Sequence, residues 1–151
     1  MILLPIILVD DDRAWREALA DYLENEGFRV VATASAAQAL RVLGQQEAAL
    51  VISDYRIPGM NGLELVRSLT QRQRRIAVLL LSSEEQPGLA EQARAAGARG
   101  FLAKSTAPRL LLRKIRDLLH EVGRTQQPSL LPIWQRLLPA PRRGSTRRSA
   151  G

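Results

Sequence analysis

Residues 49–54 read Ala49-Leu50-Val51-Ile52-Ser53-Asp54, a continuous apolar run that ends in a serine and a carboxylate. A short apolar run of this kind is typical of a strand buried on both faces, as in a parallel sheet. Residues 6–9 form a similar run, and Asp10, Asp11 and Asp12 follow it directly. Because the carboxyl ends of parallel strands lie at one edge of a sheet, the two runs predict acidic groups at a common edge.

Apolar runs alternate with helical patterns along most of the chain. Besides the two runs above, strands are predicted at 28–33, 76–81 and 100–103. The first predicted helix carries Trp15 and Tyr22 on its apolar face and ends near Gly27, so both aromatic rings are expected to pack that helix onto the sheet. Four further helices are predicted: one capped by Ser35, one after the turn at 58–62, one from Gly88 to Ala96, and one from Thr106 to Val122. This alternation predicts an α/β fold with a doubly wound, five-stranded parallel sheet and helices on both faces.

The net charge separates the chain into two parts. Of the 22 basic residues, 16 lie in residues 1–123 together with all 15 acidic residues, whereas residues 124–151 hold six arginines and no acid. The formal charge of +7 therefore belongs mainly to the C-terminal part. The sequence predicts one folded domain over 1–123, followed by a proline- and arginine-rich tail over 124–151.

The tail carries two further expectations. A short apolar stretch near 130–138 is predicted to form a docking helix, either on the domain itself or on a partner or second protomer, and the end of the chain is predicted to be disordered. Arginines without an ordered scaffold support only salt-sensitive contacts to nucleic acid or anionic lipid, so DNA binding is not expected.

Composition excludes several kinds of site. The chain has no cysteine, which excludes disulfides and thiolate metal sites, and its single histidine, His120, argues against a histidine-based metal site or catalytic triad. No apolar run is long enough to cross a bilayer, and the opening residues lack the features of a signal peptide. A cytoplasmic location is the expectation by elimination.

Five polar residues are predicted to meet at the carboxyl edge of the sheet: Asp10, Asp11, Asp54, Ser82 and Lys104. Three carboxylates this close would repel one another unless a hard cation such as Mg²⁺ lay among them. A carboxylate can also attack phosphorus to form an acyl phosphate, and an ammonium group would neutralise the phosphoryl oxygens. The chain uses 20 arginines and only two lysines, so a lysine at this edge is informative. Asp54 is the predicted nucleophile.

Five segments resemble, in order, the motifs of bacterial two-component response regulator receiver domains, in particular those similar to chemotaxis regulators. They are Ile7-Leu8-Val9-Asp10-Asp11-Asp12, Ile52-Ser53-Asp54-Tyr55-Arg56-Ile57-Pro58-Gly59-Met60-Asn61-Gly62, Leu81-Ser82-Ser83, Ala96-Gly97-Ala98 and Phe101-Leu102-Ala103-Lys104. The resemblance covers residues 5 to 122. It implies a flavodoxin-like sheet with strand order 2-1-3-4-5.

The resemblance also implies a function. A sensor histidine kinase would phosphorylate Asp54 in the presence of Mg²⁺, and the metal ligands would be Asp10, Asp11, Asp54 and the backbone carbonyl of Arg56. Ser82 would move to bind the phosphoryl group and Phe101 would turn inward. The surface formed by helix 4, strand 5 and helix 5 would then control a downstream partner. Such a domain catalyses only its own phosphorylation and slow dephosphorylation.

Several alternatives stay open or are disfavoured on the residues. The three aspartates after the first strand are also what a solvated loop and helix cap would contain, and Phe101 is also a plausible core residue. An aspartate-nucleophile phosphohydrolase would need an acid/base Asp two residues after Asp54, where the chain has Arg56. A phosphorylation-independent interaction module that uses the C-terminal tail remains an alternative, and so does a homodimer.

Two residue-level expectations complete the prediction. Ser105 follows Lys104 where the family usually has proline, so the helix after it is expected to restart later, with Pro108 in its first turn. Arg56, two residues after Asp54, and Glu84, two after Ser82, lie at positions that flank the site in the family. The resemblance thus implies that an ion pair between them would shield an acyl phosphate from water.

Overall fold

The computed structural model describes residues 4–72 and 76–126. Five strands alternate with five helices in this part of the chain. They are β1 (Ile6–Val9), α1 (Arg13–Asn25), β2 (Val30–Thr33), α2 (Ala36–Gln45), β3 (Leu50–Asp54), α3 (Gly62–Arg72), β4 (Ala77–Ser82), α4 (Leu89–Ala96), β5 (Gly100–Ala103) and α5 (Pro108–Gln126).

The strands form one parallel sheet in the order β2-β1-β3-β4-β5, as predicted. In the register of this sheet Asp54 lies opposite Leu81, and Ser82 lies opposite Ala103. The ends of β3, β4 and β5 are therefore level with one another. Since every strand runs in the same direction, the residues that follow β1, β3, β4 and β5 come together at one edge.

Two apolar clusters cover the two faces of the sheet. Alternate residues of each strand point to opposite faces, so Ile7 of β1 belongs to one cluster and Leu8 to the other. The first cluster is completed by α2, α3 and α4, and the second by α1 and α5. Burying one large aliphatic side chain contributes about 1.5–3 kcal/mol, so the two layers anchor the strand ends firmly.

Several element boundaries differ from the prediction by a few residues, and two of them have a clear local cause. Strand β2 begins at Val30, because the N–H of Phe28 donates to the carbonyl of Leu23 (3.1 Å) and closes α1, with Gly27 at a positive φ of 93°. Helix α5 begins at Pro108 because a turn precedes it, in which the N–H of Thr106 donates to Ala103. Pro108 thus occupies the first turn of α5, as predicted.

Glycine is required where α3 begins. A Cβ atom at Gly62 would lie 2.6 Å from Leu80 Cδ1 and 2.8 Å from the carbonyl oxygen of Asp54, which is closer than real side chains approach. The N–H of Gly62 also donates to the carbonyl of Tyr55 at 2.7 Å. The absence of a side chain lets α3 start directly against the end of β3, so the loop after Asp54 is compact.

None of the helices in the described ranges is long and apolar enough to cross a membrane. The predicted docking helix near 130–138 and the predicted disorder at the chain end lie outside the described residues. These expectations stay predictions, and so does the division of the chain at residue 123.

Candidate functional site

Asp10 and Asp54 are presented by the ends of β1 and β3, and both carboxylates are buried. Each has one oxygen bound to the backbone. Oδ1 of Asp10 accepts a hydrogen bond from the N–H of Asp12 (2.9 Å), and Oδ1 of Asp54 accepts one from the N–H of Arg56 (3.2 Å). These bonds fix the orientation of both carboxylates and direct the second oxygen of each towards Lys104.

Lys104 bridges the two carboxylates. Its Nζ lies 2.5 Å from Asp10 Oδ2 and 3.0 Å from Asp54 Oδ2, and only 14% of its side chain is exposed. The backbone N–H of Lys104 donates to the carbonyl of Ser82 (2.8 Å), which ties the residue to the end of β4. The ammonium group thus lies at the centre of the site predicted from the sequence.

Burial and ion pairing act in opposite directions on these groups. Burial lowers the pKa of Lys104, but its bonds to Asp10 and Asp54 together outweigh burial, so the pKa is raised and the ammonium stays charged. Burial raises the pKa of Asp10 above its usual value, and neither Lys104 nor the N–H of Asp12 fully offsets this. The ionised carboxylate of Asp10 is therefore held in the site at an energetic cost.

The carboxylates have the chemistry of a divalent cation site. Oxygens of Asp10, Asp11 and Asp54 all lie within 4.8 Å of one another, and Asp11 is exposed to solvent. The buried Oδ2 of Asp10 is paired with the Lys104 ammonium, and no other donor in the described part of the chain binds it. Three carboxylates and one ammonium leave surplus negative charge, and oxygen donors suit Mg²⁺. The residues present therefore fit the predicted metal.

A polar network links the ends of β3 and β4 at the surface. Arg56 and Glu84 form the predicted ion pair, with Nε to Oε1 at 2.6 Å and Nη2 to Oε2 at 2.9 Å. The amide of Gln86 donates to the same carboxylate at 3.1 Å. The hydroxyl of Ser82 bonds to both the N–H and the carbonyl of Glu84, each at 3.0 Å. Ser82 is thus at the site, but its hydroxyl is engaged by its own loop.

Phe101 lies on β5, half-buried against the first apolar cluster. Phe101 contributes to the lining of two clefts. One, of about 500 Å³, is lined by the basic residues Arg94, Arg99 and Lys114, and the other, of about 400 Å³, is lined by the acidic residues Glu84, Glu85 and Glu91. Phe101 therefore borders open volume while it also packs against the first apolar cluster.

Sequence reasoning missed two contacts of the site, both from α1. The Trp15 ring packs against the second apolar cluster, as predicted, but the Lys104 Nζ also lies 4.4 Å from its centroid. In addition, Nη1 of Arg16 donates to the carbonyl of Asp10 at 2.6 Å. The only sequence signal was that α1 begins directly after the three aspartates, which places its first turn at the same edge.

Two buried aspartates bridged by a lysine, with a third aspartate beside them at the edge of a doubly wound sheet, are consistent with a phosphoacceptor domain. The profile of the response regulator receiver domain family matches residues 6–116. The chain therefore belongs to the receiver domains of two-component response regulators, which are signalling domains and not metabolic enzymes.

Similar proteins agree with this assignment. The chain is 38% identical over 125 residues to the transcriptional activator protein ExaE of Pseudomonas putida, covering 82% of this chain and 58% of that protein. It is 41% identical over 107 residues to the response regulator protein FleR of Pseudomonas aeruginosa, covering 71% and 23% respectively. The chain thus spans less than two thirds of the length of these relatives.

Solved structures show the same fold. A CheY-like response regulator receiver domain protein from Methanospirillum hungatei superposes with a TM-score of 0.78 at 27% identity, covering 82% of this chain and 99% of that one. The chemotaxis response regulator CheY4 of Vibrio cholerae gives 0.71 at 26% identity, covering 78% and 99%.

Proposed function

We propose that Asp54 accepts a phosphoryl group from a sensor histidine kinase with Mg²⁺ present, and that phosphorylation changes the surface formed by α4, β5 and α5. The observation that carries this proposal is the bridge from Lys104 to both Asp10 and Asp54. An ion pair that serves only stability needs one carboxylate. The Lys104 ammonium instead faces two carboxylates, and the carboxylate of Asp11 lies close to both. Buried charge clusters of this kind are concentrated at functional sites.

The residues have separate roles in the transfer. A carboxylate oxygen of Asp54 forms a bond to phosphorus while the bond between phosphorus and the imidazole nitrogen of the donor breaks. The Arg56 N–H holds the Asp54 carboxylate in place, and the Lys104 ammonium neutralises charge on the phosphoryl oxygens. Asp10, Asp11, Asp54 and the Arg56 carbonyl would hold Mg²⁺, which supplies the charge that lets an anionic donor approach this acidic cluster.

The switch would use Ser82 and Phe101. A phosphoryl group on Asp54 brings new acceptor oxygens to the edge where Ser82 lies, and its hydroxyl would leave Glu84 to donate to one of them. Phe101 would then turn into the space beside it and change the two clefts that it lines. A downstream partner would recognise this surface. A cytoplasmic location belongs to the same proposal.

The test is phosphorylation by a small donor. The parent, Asp54→Asn and the control Asp21→Asn are incubated with acetyl phosphate and Mg²⁺ and analysed by intact mass. Asp21 lies on an exposed position of α1. We expect a gain of one phosphoryl group, stable in acid and labile in base, in the parent and in Asp21→Asn only. No gain in the parent with several donors would favour the phosphorylation-independent interaction module instead.

A further inference from the structure

Trp15 supplies the third neighbour of the Lys104 ammonium. Two sides of this group face Asp10 and Asp54, and the indole ring lies 4.4 Å away, measured from Nζ to the ring centroid. This is within the distance at which an aromatic face attracts a cation. The ammonium is thus held by two carboxylates and one aromatic ring, and it is mostly shielded from solvent.

An aromatic ring differs from a carboxylate as a neighbour. Its face attracts the cation through the ring quadrupole but carries no formal charge, so it adds nothing to the repulsion among the three aspartates. It also leaves the carboxylates and any phosphoryl oxygen as the hydrogen-bond acceptors for the ammonium. A lysine side chain is a flexible four-carbon chain, so its ammonium can take several positions. The ring restricts the position of the ammonium and does not compete for its hydrogen bonds.

The ring itself is fixed by the same segment that builds the acidic cluster. The side chain of Asp12 caps α1 by accepting a hydrogen bond from the N–H of Trp15 at 3.2 Å. The rest of the indole packs against the apolar cluster between α1, α5 and the sheet. Capping and packing hold Trp15 in the first turn of α1, directly beside the end of β1.

We propose that Trp15 is a positioning residue, whose ring holds the Lys104 ammonium against Asp54 and so sets the rate of phosphoryl transfer. This inference rests on the proposed function. When the bond from Asp54 to phosphorus forms and the bond to the leaving group breaks, the ammonium must lie close to the phosphoryl oxygens. A lysine that is free to leave the site would give that stabilisation only part of the time.

The test compares three variants of α1. Trp15→Leu keeps apolar bulk but removes the aromatic face, and Trp15→Phe keeps a smaller aromatic face. Tyr22→Leu is the matched control, because Tyr22 is an aromatic residue two turns further along the same helix and packs against the same cluster. The initial rate of phosphorylation by acetyl phosphate is measured at a temperature at which thermal melts show all four proteins folded.

We expect Trp15→Leu to react about three- to tenfold more slowly than the parent, in line with a desolvated cation–π contact. Trp15→Phe is expected to stay within about twofold of the parent, since a benzene ring also attracts the ammonium. Tyr22→Leu is expected to react at the parental rate. Calorimetric titration should give the same affinity for Mg²⁺ in the parent and Trp15→Leu, because the carboxylates are unchanged.

Three results would overturn the inference. The first is a Trp15→Leu protein as fast as the parent. The second is an equal loss in Trp15→Leu, Trp15→Phe and Tyr22→Leu, which would mean that only packing of α1 matters. The third is a loss of Mg²⁺ affinity that matches the loss of rate. A parent that takes up no phosphoryl group would refute the proposed function itself, and this inference with it.

Discussion

Two ion pairs at the same edge of the sheet have nearly the same length but opposite surroundings. Lys104 approaches Asp10 at 2.5 Å, with 14% and 0% of the two side chains exposed. Arg56 approaches Glu84 at 2.6 Å, with 65% and 34% exposed. The buried pair places charge where water cannot solvate it, whereas the exposed pair competes with water at each atom. Equal distances therefore do not imply equal roles.

The difference separates the pair proposed to take part in phosphoryl transfer from the pair proposed to shield the acyl phosphate from water. The buried pair has a raised Asp10 pKa and a surplus carboxylate, so it works against stability, and the proposed phosphoryl transfer would explain why the chain carries it. The exposed pair spans the loops after β3 and β4 and adds little to stability. Arg56 and Glu84 stand two residues after Asp54 and Ser82 respectively, so the pair suits the proposed barrier to water. The predictions below test the two pairs in order of expected effect.

The largest effect is expected from removing the buried cation. Lys104→Met should lower the rate of phosphorylation by acetyl phosphate about 100-fold, because a preorganised charge at the developing phosphoryl charge is lost. Lys114→Met removes the only other lysine and is the matched control, expected to react at the parental rate. Rates are followed by intact mass. A Lys104→Met protein within a few-fold of the parent would refute the role given to the bridge.

A stability measurement tests the cost of the buried carboxylate. In chelator at pH 7, Asp10→Asn should raise the free energy of unfolding by about 1 kcal/mol, because an ionised buried group is replaced by a neutral one while Asp54 still pairs with Lys104. Asp21→Asn, at an exposed position, should change nothing measurable. Urea denaturation gives both values. A lower free energy of unfolding in Asp10→Asn than in the parent would show that the ion pair between Lys104 and Asp10 stabilises the fold.

The pH dependence of the same metal-free protein has a definite sign. The pKa of Asp10 is higher in the folded state than in the unfolded chain, so between the two values the folded state binds more protons. The contribution of Asp10 to the free energy of unfolding therefore rises as pH falls through its folded pKa. The free energy of unfolding is measured by urea denaturation at each pH. Subtracting the value for Asp10→Asn from the value for the parent isolates this contribution. A difference that is flat or of opposite sign would contradict the raised pKa.

The smallest effect belongs to the exposed pair. Arg56→Ala should lower the free energy of unfolding by at most about 0.5 kcal/mol. It should also speed loss of the phosphoryl group about twofold, which is a similar energy in the barrier to hydrolysis. Arg116→Ala breaks an ion pair to Glu26 of comparable exposure and should not alter dephosphorylation. If Arg56→Ala and the parent lose phosphate at equal rates, the pair does not shield the site.

Strand ends could be predicted from the sequence because buried parallel strands are continuous apolar runs, and Asp10 and Asp54 directly follow or end such runs. Strand order followed from the resemblance of the motifs, and the sheet confirms it. The start of β2 was placed two residues too early, because the bond from Phe28 to Leu23 that closes α1 depends on local geometry that the pattern does not contain.

The surroundings of the site were harder to predict than its carboxylates. The contact between Trp15 and Lys104 depends on how α1 is rotated about its axis. Because both the sheet and the site lie beside the first turn of α1, the apolar pattern alone does not predict this contact. The engagement of the Ser82 hydroxyl by Glu84 depends on the path of a loop without periodicity. The Arg56 to Glu84 pair could be predicted, since both residues stand two positions after a strand-end residue at the common edge.

The most direct test of the account is to identify the atom that carries the phosphoryl group. The parent is phosphorylated with acetyl phosphate and Mg²⁺ and reduced with borohydride, which converts an aspartyl phosphate to homoserine, and the peptides are sequenced by tandem mass spectrometry. The account predicts homoserine at position 54 and unmodified aspartate at Asp10, Asp11 and Asp12. Homoserine at any of those three positions, with Asp54 intact, would contradict it.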